Sequence, residues 1–253
     1  MTQKFAQIFL PRKDLPALTY FVPSELVIKP GDCVEIELKK SITWGIVEKI
    51  TETIPDEISG VALKPVLGKI FSSPMFSNKK ETRLLKWLSD YYIYPFPNII
   101  KQIYSPLVTK KCTLAGESDP DRHRSVLQSN ALTQDAHLNE TQKTGYDSII
   151  KRWEKGDNRP VLLFGITGSG KSEIFAALCK KVISEGKQVL YLVPEVGLTT
   201  NALEHLIYRV GSPGVIIHSS MTPKKRFSSI YSAMHGKASI IVGTRSAALY
   251  PFF

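Results

Sequence analysis

Cysteine is scarce in this chain. Cys33, Cys112 and Cys179 are the only three in 253 residues, spaced 79 and 67 positions apart with no CxxC pair. That spacing supplies neither a disulfide framework nor a zinc site, and it predicts a protein of the reducing cytoplasm. Long apolar runs are lacking too: no stretch approaches the roughly 18 consecutive apolar residues of a membrane-spanning helix. The apolar patch near the N-terminus is cut by Pro11 and Arg12, which excludes a secretory signal. Acid is thin in the last third, where 10 Lys and Arg face only Glu173, Glu185, Glu195 and Glu204, and no aspartate follows Asp157. The remainder is ordinary globular usage, 43% hydrophobic and 22% charged, with length for one large or two smaller domains. The net charge of +10 favours phosphate-bearing partners.

Residues 1–105 read as a small β-rich domain. Phe5–Leu10 and Leu18–Val22 are apolar runs bounded by prolines, and Pro30-Gly31 marks a turn. Val34, Ile36 and Leu38 alternate with Glu35 and Glu37, the period of a half-buried strand, and Ile42, Trp44 and Ile46 continue it. A hairpin through Lys39-Lys40-Ser41 therefore joins the two. Val61–Leu67 is a further strand, placed at an edge by Pro65. Ser77 can cap a helix running to about Tyr94. Residues 106–137 show little periodicity and read as a linker.

From residue 138 short apolar runs alternate with amphipathic stretches. Strands are expected at Val161–Phe164, Val189–Val193, Val215–Ile217 and Ser239–Val242, and helices over 139–154, 171–185, 199–210 and 222–235. Thr222 and Pro223 form the start signal of the last helix. Strands alternating with helices imply a parallel sheet, an α/β fold.

Gly165-Ile166-Thr167-Gly168-Ser169-Gly170-Lys171-Ser172 matches the phosphate-loop pattern GxxxxGK[ST] in full. Glycines let backbone N–H groups wrap a polyphosphate closely, and the helix N-terminus adds its positive dipole. Lys171 is expected on the β- and γ-phosphates, and the Ser172 hydroxyl on Mg²⁺. The loop thus calls for a nucleoside triphosphate with Mg²⁺. A second acid, at the end of an apolar strand, is missing. Glu195 after LYLVP comes closest, but Pro194 and its loop position point to another role. The sequence reads as a truncated lobe able to bind a nucleotide but not to hydrolyse it efficiently.

LLFGITGSGKSE, GKQVLYLVPEVGLT, HSSMTPKKR and GTRSAALYPF occur in this order from about residue 138. Together they resemble the bacterial primosomal replication-restart helicases (the PriA, or primosomal protein N′, family) of superfamily 2. LPALTYFVP, PGDCVEIEL, WGIV and LKPV are more loosely similar to that family's 3′-DNA-end-binding domain. The resemblance implies a partial RecA-like helicase lobe over 138–253, preceded by a β-rich DNA-binding domain over 1–105 and the linker 106–137. It implies ATP-driven 3′-to-5′ unwinding at forks and primosome loading, with primosome proteins and single-strand-binding protein as partners and no membrane. The family's acidic box, zinc sites and second lobe would lie beyond this sequence, and 106–137 is too short for the winged-helix domain many relatives carry.

Carried over, the resemblance puts Gly168, Gly170, Lys171 and Ser172 on the nucleotide phosphates. Gln142 either lies near the adenine or is an exposed helix glutamine. Glu195 and Thr199, with Thr244, Arg245 and Ser246, fall near the single-strand path. Tyr20 and Lys64 fall in the pocket for the 3′ end, where Thr19 replaces the family's aspartate. Lys224, Lys225 and Arg226 read as a solvated basic face. Two other readings stay open: a fragment that holds DNA and nucleotide without turnover, and an unrelated P-loop NTPase or kinase with an accessory β domain.

Overall fold

The computed structural model describes residues 3–11, 16–54, 58, 60, 62–71, 79–104, 127, 138–250 and 252. The chain divides into two compact units, Met1–Asp119 and Pro120–Phe253. No described helix is long and apolar enough to cross a membrane. Most of the expected linker, like Ser77 and the start of the strand predicted at Val61, lies outside the described residues.

The first unit is a five-stranded antiparallel sheet of β1 (Lys4–Phe9), β2 (Leu18–Val22), β3 (Cys33–Leu38), β4 (Ser41–Thr51) and β5 (Val66–Phe71), in the order β2-β1-β4-β3-β5. The β3–β4 hairpin forms as the alternation requires, with Leu38 opposite Ser41. Its two-residue turn puts Lys39 and Lys40 at φ 46° and 67°, the left-handed pair that matches the twist of the flanking strands. The sheet curls until its edges meet: Phe21 N–H donates to the Lys64 carbonyl (3.0 Å), and Phe21 pairs with Pro65. Inside the curl lie Ala6, Ile8, Val34, Ile36 and Val47, each fully buried. Each isoleucine so placed contributes on the order of 1.5–3 kcal/mol of apolar transfer. The strand expected over Val61–Leu67 runs instead from Val66, because Pro65 has no N–H for a ladder. Helix α1 (Lys79–Tyr91) is followed by an unanticipated second helix, α2 (Phe96–Tyr104). Leu85, Ile100 and Ile103 of these helices are buried, and Phe96 meets Phe9 edge-on at 4.8 Å.

The second unit begins with α3 (Glu140–Glu154) and α4 (Lys171–Ser184). There follow β6 (Val189–Leu192), α5 (Thr199–Val210), β7 (Gly214–Ile217), α6 (Pro223–Met234) and β8 (Ile240–Gly243). The strands are parallel, in the order β6-β8-β7. β8 is buried along its whole length, as a central parallel strand must be. Helix α6 starts as predicted, with Thr222 accepting from Lys225 N–H and Pro223 in the first turn. Leu127 exchanges two backbone hydrogen bonds with Gly214 (2.9 and 3.0 Å), so this residue of the expected linker is fastened to the edge of β7.

One expected strand is absent. Val161–Phe164 forms no strand, and no described residue pairs with it. Leu162 and Phe164 are 87% and 90% exposed, and Ile166 is 79% exposed. The expectation fails because apolar composition alone does not make a strand: a strand exists only against a neighbour that takes its hydrogen bonds.

Candidate nucleotide and DNA sites

The phosphate loop joins the exposed run to α4. Gly168 and Gly170 stand at φ 80° and 78°, a region that side-chain-bearing residues avoid. A Cβ on Gly170 would also strike the Gln142 amide. Helix α4 has no side-chain cap at its start, so its first N–H groups stay available to an anion, reinforced by the helix dipole. The Lys171 ammonium folds back over the loop and donates to the carbonyls of Gly165 (2.7 Å) and Ile166 (2.8 Å). These neutral acceptors hold it at the loop mouth, where phosphate oxygens would compete with the advantage of charge. Thr167, Gly168, Ser169 and the Ser172 hydroxyl are exposed, and Gly165 and Lys171 half-buried. The donor set therefore fits a magnesium-bound polyphosphate: glycine N–H groups and Lys171 for the anion, Ser172 for the metal.

Gln142 is committed to local structure. Its Oε1 accepts from Asn139 N–H (2.9 Å), closing a capping box at the start of α3, while its Nε2 donates to the Ser169 carbonyl (3.2 Å). It ties α3 to the phosphate loop. Glu173 in the first turn of α4 is likewise taken, by Arg209 at 2.9 Å.

In parallel α/β sheets ligands gather past the carboxyl ends of the strands. Three segments meet there: Val193–Thr199 after β6, His218–Thr222 after β7 and Thr244–Leu249 after β8. Glu195 is exposed and precedes a single 3-10 turn. Thr199 is buried, and its hydroxyl donates to the Val196 carbonyl (2.6 Å); it shapes the turn rather than facing a ligand. Arg245 is exposed, with Thr244 and Ser246 half-buried beside it.

Arg226 does not lie on a solvated face. Lys224 and Lys225 are exposed, but Arg226 folds inward, donates to the Tyr250 hydroxyl (2.7 Å) and stands 5.7 Å over that ring. Burial raises the Tyr250 pKa, so the hydroxyl remains protonated. Burial, and then the nearby Arg226 charge, lower the His218 pKa, favouring its neutral form. Helical spacing carried the signal, since Arg226 shares the i, i+4, i+7 face of buried Ile230 and Ala233.

In the first unit, Tyr20 is buried and its hydroxyl donates to the Glu37 carbonyl (3.1 Å). Lys64 pairs with the Glu37 carboxylate at 2.7 Å, both side chains being about half exposed (46% and 39%). Burial, and then the Glu37 charge, raise the Tyr20 pKa, which keeps its proton in place. Glu37 was visible in sequence only as the polar phase of a strand. Its position beside Lys64 comes from the pairing of β3 with β5, and its position beside Tyr20 from the curl that brings the edges together.

Residues 7–105 match the family described as the PriA 3′DNA-binding domain, and residues 140–253 match the DEAD/DEAH box helicases. The replication restart protein PriA of Rickettsia felis is 30% identical over 249 residues, covering 98% of this chain and 36% of that protein. The chain belongs to the PriA replication-restart family. PriA of Bacillus subtilis is 25% identical over 220 residues (83% of this chain, 27% of that protein). PriA of Haemophilus influenzae is 35% identical over 127 residues (50% and 16%). The chain thus spans about a third of the Rickettsia felis protein's length. In PriA-family terms its β-rich unit corresponds to the 3′DNA-binding domain and its α/β unit to helicase sequence, the order expected from the motifs.

Proposed function

We propose that this chain is the DNA-end-holding and nucleotide-holding part of a cytoplasmic replication-restart helicase. In the full-length protein, ATP hydrolysis would drive 3′-to-5′ unwinding of forked DNA and lead to primosome assembly with single-strand-binding protein and other primosome proteins. The observation that carries this reading is the pairing, within one lobe, of a phosphate loop with an exposed arginine turn past the carboxyl ends of parallel strands. A small-molecule kinase has no use for that turn, nor for a 3′DNA-binding unit. The chain holds ATP with Mg²⁺ through Gly165, Thr167, Gly168, Ser169, Gly170, Lys171 and Ser172. Gln142 keeps the loop in register from α3. Bound triphosphate would supply the free energy of phosphoryl transfer, while the residues here bind and orient it. With no aspartate after Asp157 and Glu195 set in a turn, turnover by this chain alone is expected to be slow.

Single-stranded DNA is expected along Thr244, Arg245 and Ser246, with Glu195 at the margin and Thr199 supporting the turn. A guanidinium on a backbone phosphate displaces about one counterion. Arg245→Ala should weaken oligonucleotide binding and reduce the log–log salt slope by about one. The same slope in variant and wild type would take Arg245 out of the DNA path.

The 3′ end is expected at Tyr20, Glu37 and Lys64. A 3′ end differs from the interior of a strand by its free hydroxyl, a donor suited to a carboxylate, while the adjoining phosphate suits a lysine. A terminal phosphate would instead meet the Glu37 charge. Duplexes ending in a 3′-hydroxyl should therefore outcompete those ending in a 3′-phosphate in fluorescence anisotropy. Glu37→Gln should narrow that preference, and Lys64→Ala should weaken both by roughly ten- to a hundredfold, the scale of one charge-assisted contact. Equal affinity of wild type for both ends would rule out end recognition while leaving DNA binding intact.

A further inference from the structure

Helix α1 buries one face through Leu85, which is 1% exposed, and leaves rings on another: Trp87 is 52%, Tyr91 64% and Tyr92 67% exposed. The rings are ordered against one another. Trp87 and Tyr91 stack at 4.9 Å between centroids with 25° between planes, and Tyr92 meets Tyr91 edge-on at 4.9 Å. The turn after the helix is built to hold them there. Tyr94 N–H donates to the Ser89 carbonyl (3.0 Å), and the Ser89 hydroxyl donates back to the Tyr94 carbonyl (2.8 Å). Between them Ile93 sits at φ 49°, a conformation that a β-branched residue adopts only under constraint.

Charge lies on the same line. Arg83, Trp87 and Tyr91 are successive i, i+4 positions, so a cation, an indole and a phenol form one row along the helix. Arg83 is exposed, and Lys86 beside Trp87 is 55% exposed with only a 3.6 Å approach to Glu48. A row of π faces flanked by cations complements a strand whose bases alternate with phosphates. Trp, Tyr and Arg are enriched at protein–protein contacts as well, so it is the flanking cations, Arg83 and Lys86, that favour a phosphate-bearing strand here.

We propose that Trp87, Tyr91 and Tyr92 form a stacking platform for the unpaired bases of single-stranded DNA, with Arg83 taking a neighbouring phosphate. This rests on the reading of the first unit as DNA-binding and adds to it a surface separate from the Tyr20–Glu37–Lys64 end site. Stacking is sequence-tolerant, because every base has a π face, so the platform would hold a strand without choosing its sequence.

The test is a titration of the whole chain with short oligothymidylate, read by intrinsic fluorescence and by anisotropy of a labelled strand. Wild type should bind with quenching. Trp87→Phe should keep affinity within about threefold, since the ring still stacks, but lose most of the quenching, with Trp44 and Trp153 left as background emitters. Trp87→Ala and Tyr91→Ala should each weaken binding by roughly five- to a hundredfold with the salt slope unchanged. Arg83→Ala should reduce that slope by about one. Melting temperatures close to wild type would show that the exposed substitutions leave the fold alone. If wild type binds DNA and the alanine variants bind as well as it does, or Trp87→Phe quenches as wild type does, the platform is refuted and the wider DNA reading stands. If wild type binds no DNA at all, both fall. Should Trp87→Ala change the sedimenting mass while DNA affinity holds, the rings contact protein and the proposal is wrong.

Discussion

Replacing Lys171 with alanine is expected to remove nucleotide binding from the measurable range, a loss of roughly a hundredfold or more in affinity. The ammonium donates to the Gly165 and Ile166 carbonyls at 2.7 and 2.8 Å, so it already sits where a triphosphate tail would arrive. Its exchange of two neutral acceptors for anionic oxygens is a gain of charge-assisted bonds, each about 1.5–3 kcal/mol. Alanine forfeits that gain and leaves the glycine N–H groups to bind phosphate alone. The fold should tolerate the change, because the lost contacts are local to an exposed turn. Titration with a fluorescent ATP analogue and Mg²⁺ gives the answer, alongside a melting curve. Affinity equal to wild type would mean that residues 165–172 form a glycine turn without a ligand.

Gly243→Ala carries the second large effect, and it acts through packing alone. Gly243 ends β8, and an added Cβ there would collide with the Ala247 Cβ and come within 2.5 Å of the Ile217 carbonyl oxygen. Both obstacles are fixed: one is backbone of the neighbouring strand, the other belongs to the turn that carries Arg245. Overpacking of this kind costs typically 1–3 kcal/mol, and more where backbone must move. About 3 kcal/mol should lower the melting temperature of the α/β unit by roughly 10 °C. Because the strand end and the Thr244–Leu249 turn shift together, oligonucleotide binding should weaken as well. An unchanged melting temperature would show that the two strand ends are not held this closely.

Local grammar was legible in the sequence. The alternation Val34, Ile36, Leu38 fixed the phase of β3, Thr222-Pro223 fixed the start of α6, and GITGSGKS marked the phosphate loop. Each depends on neighbours along the chain. What escaped depends on partners far away in sequence. Val161–Phe164 has the composition of a strand and lacks the neighbour that would make it one. Arg226 reads as one of three consecutive cations until the helix rotation turns it toward Tyr250. Glu37 acquires meaning only when β5 pairs beside β3 and sets Lys64, 27 residues distant, next to it at 2.7 Å. The second helix, Phe96–Tyr104, was missed because Pro95 and Pro97 look like punctuation, although proline is well tolerated in a first helical turn.

The bare run ahead of the phosphate loop has a consequence for how the molecule behaves in solution. Leu162, Phe164 and Ile166 stand in water, and β6, at the rim of its sheet, shows Leu190 and Leu192 at 37% and 46% exposure. Unshielded backbone next to greasy side chains is a template for β-augmentation. Pairing of another chain along that run, which leads straight into Gly165, would crowd the loop proposed to hold the nucleotide. Ligand capture and oligomerisation would then compete for the same stretch of chain.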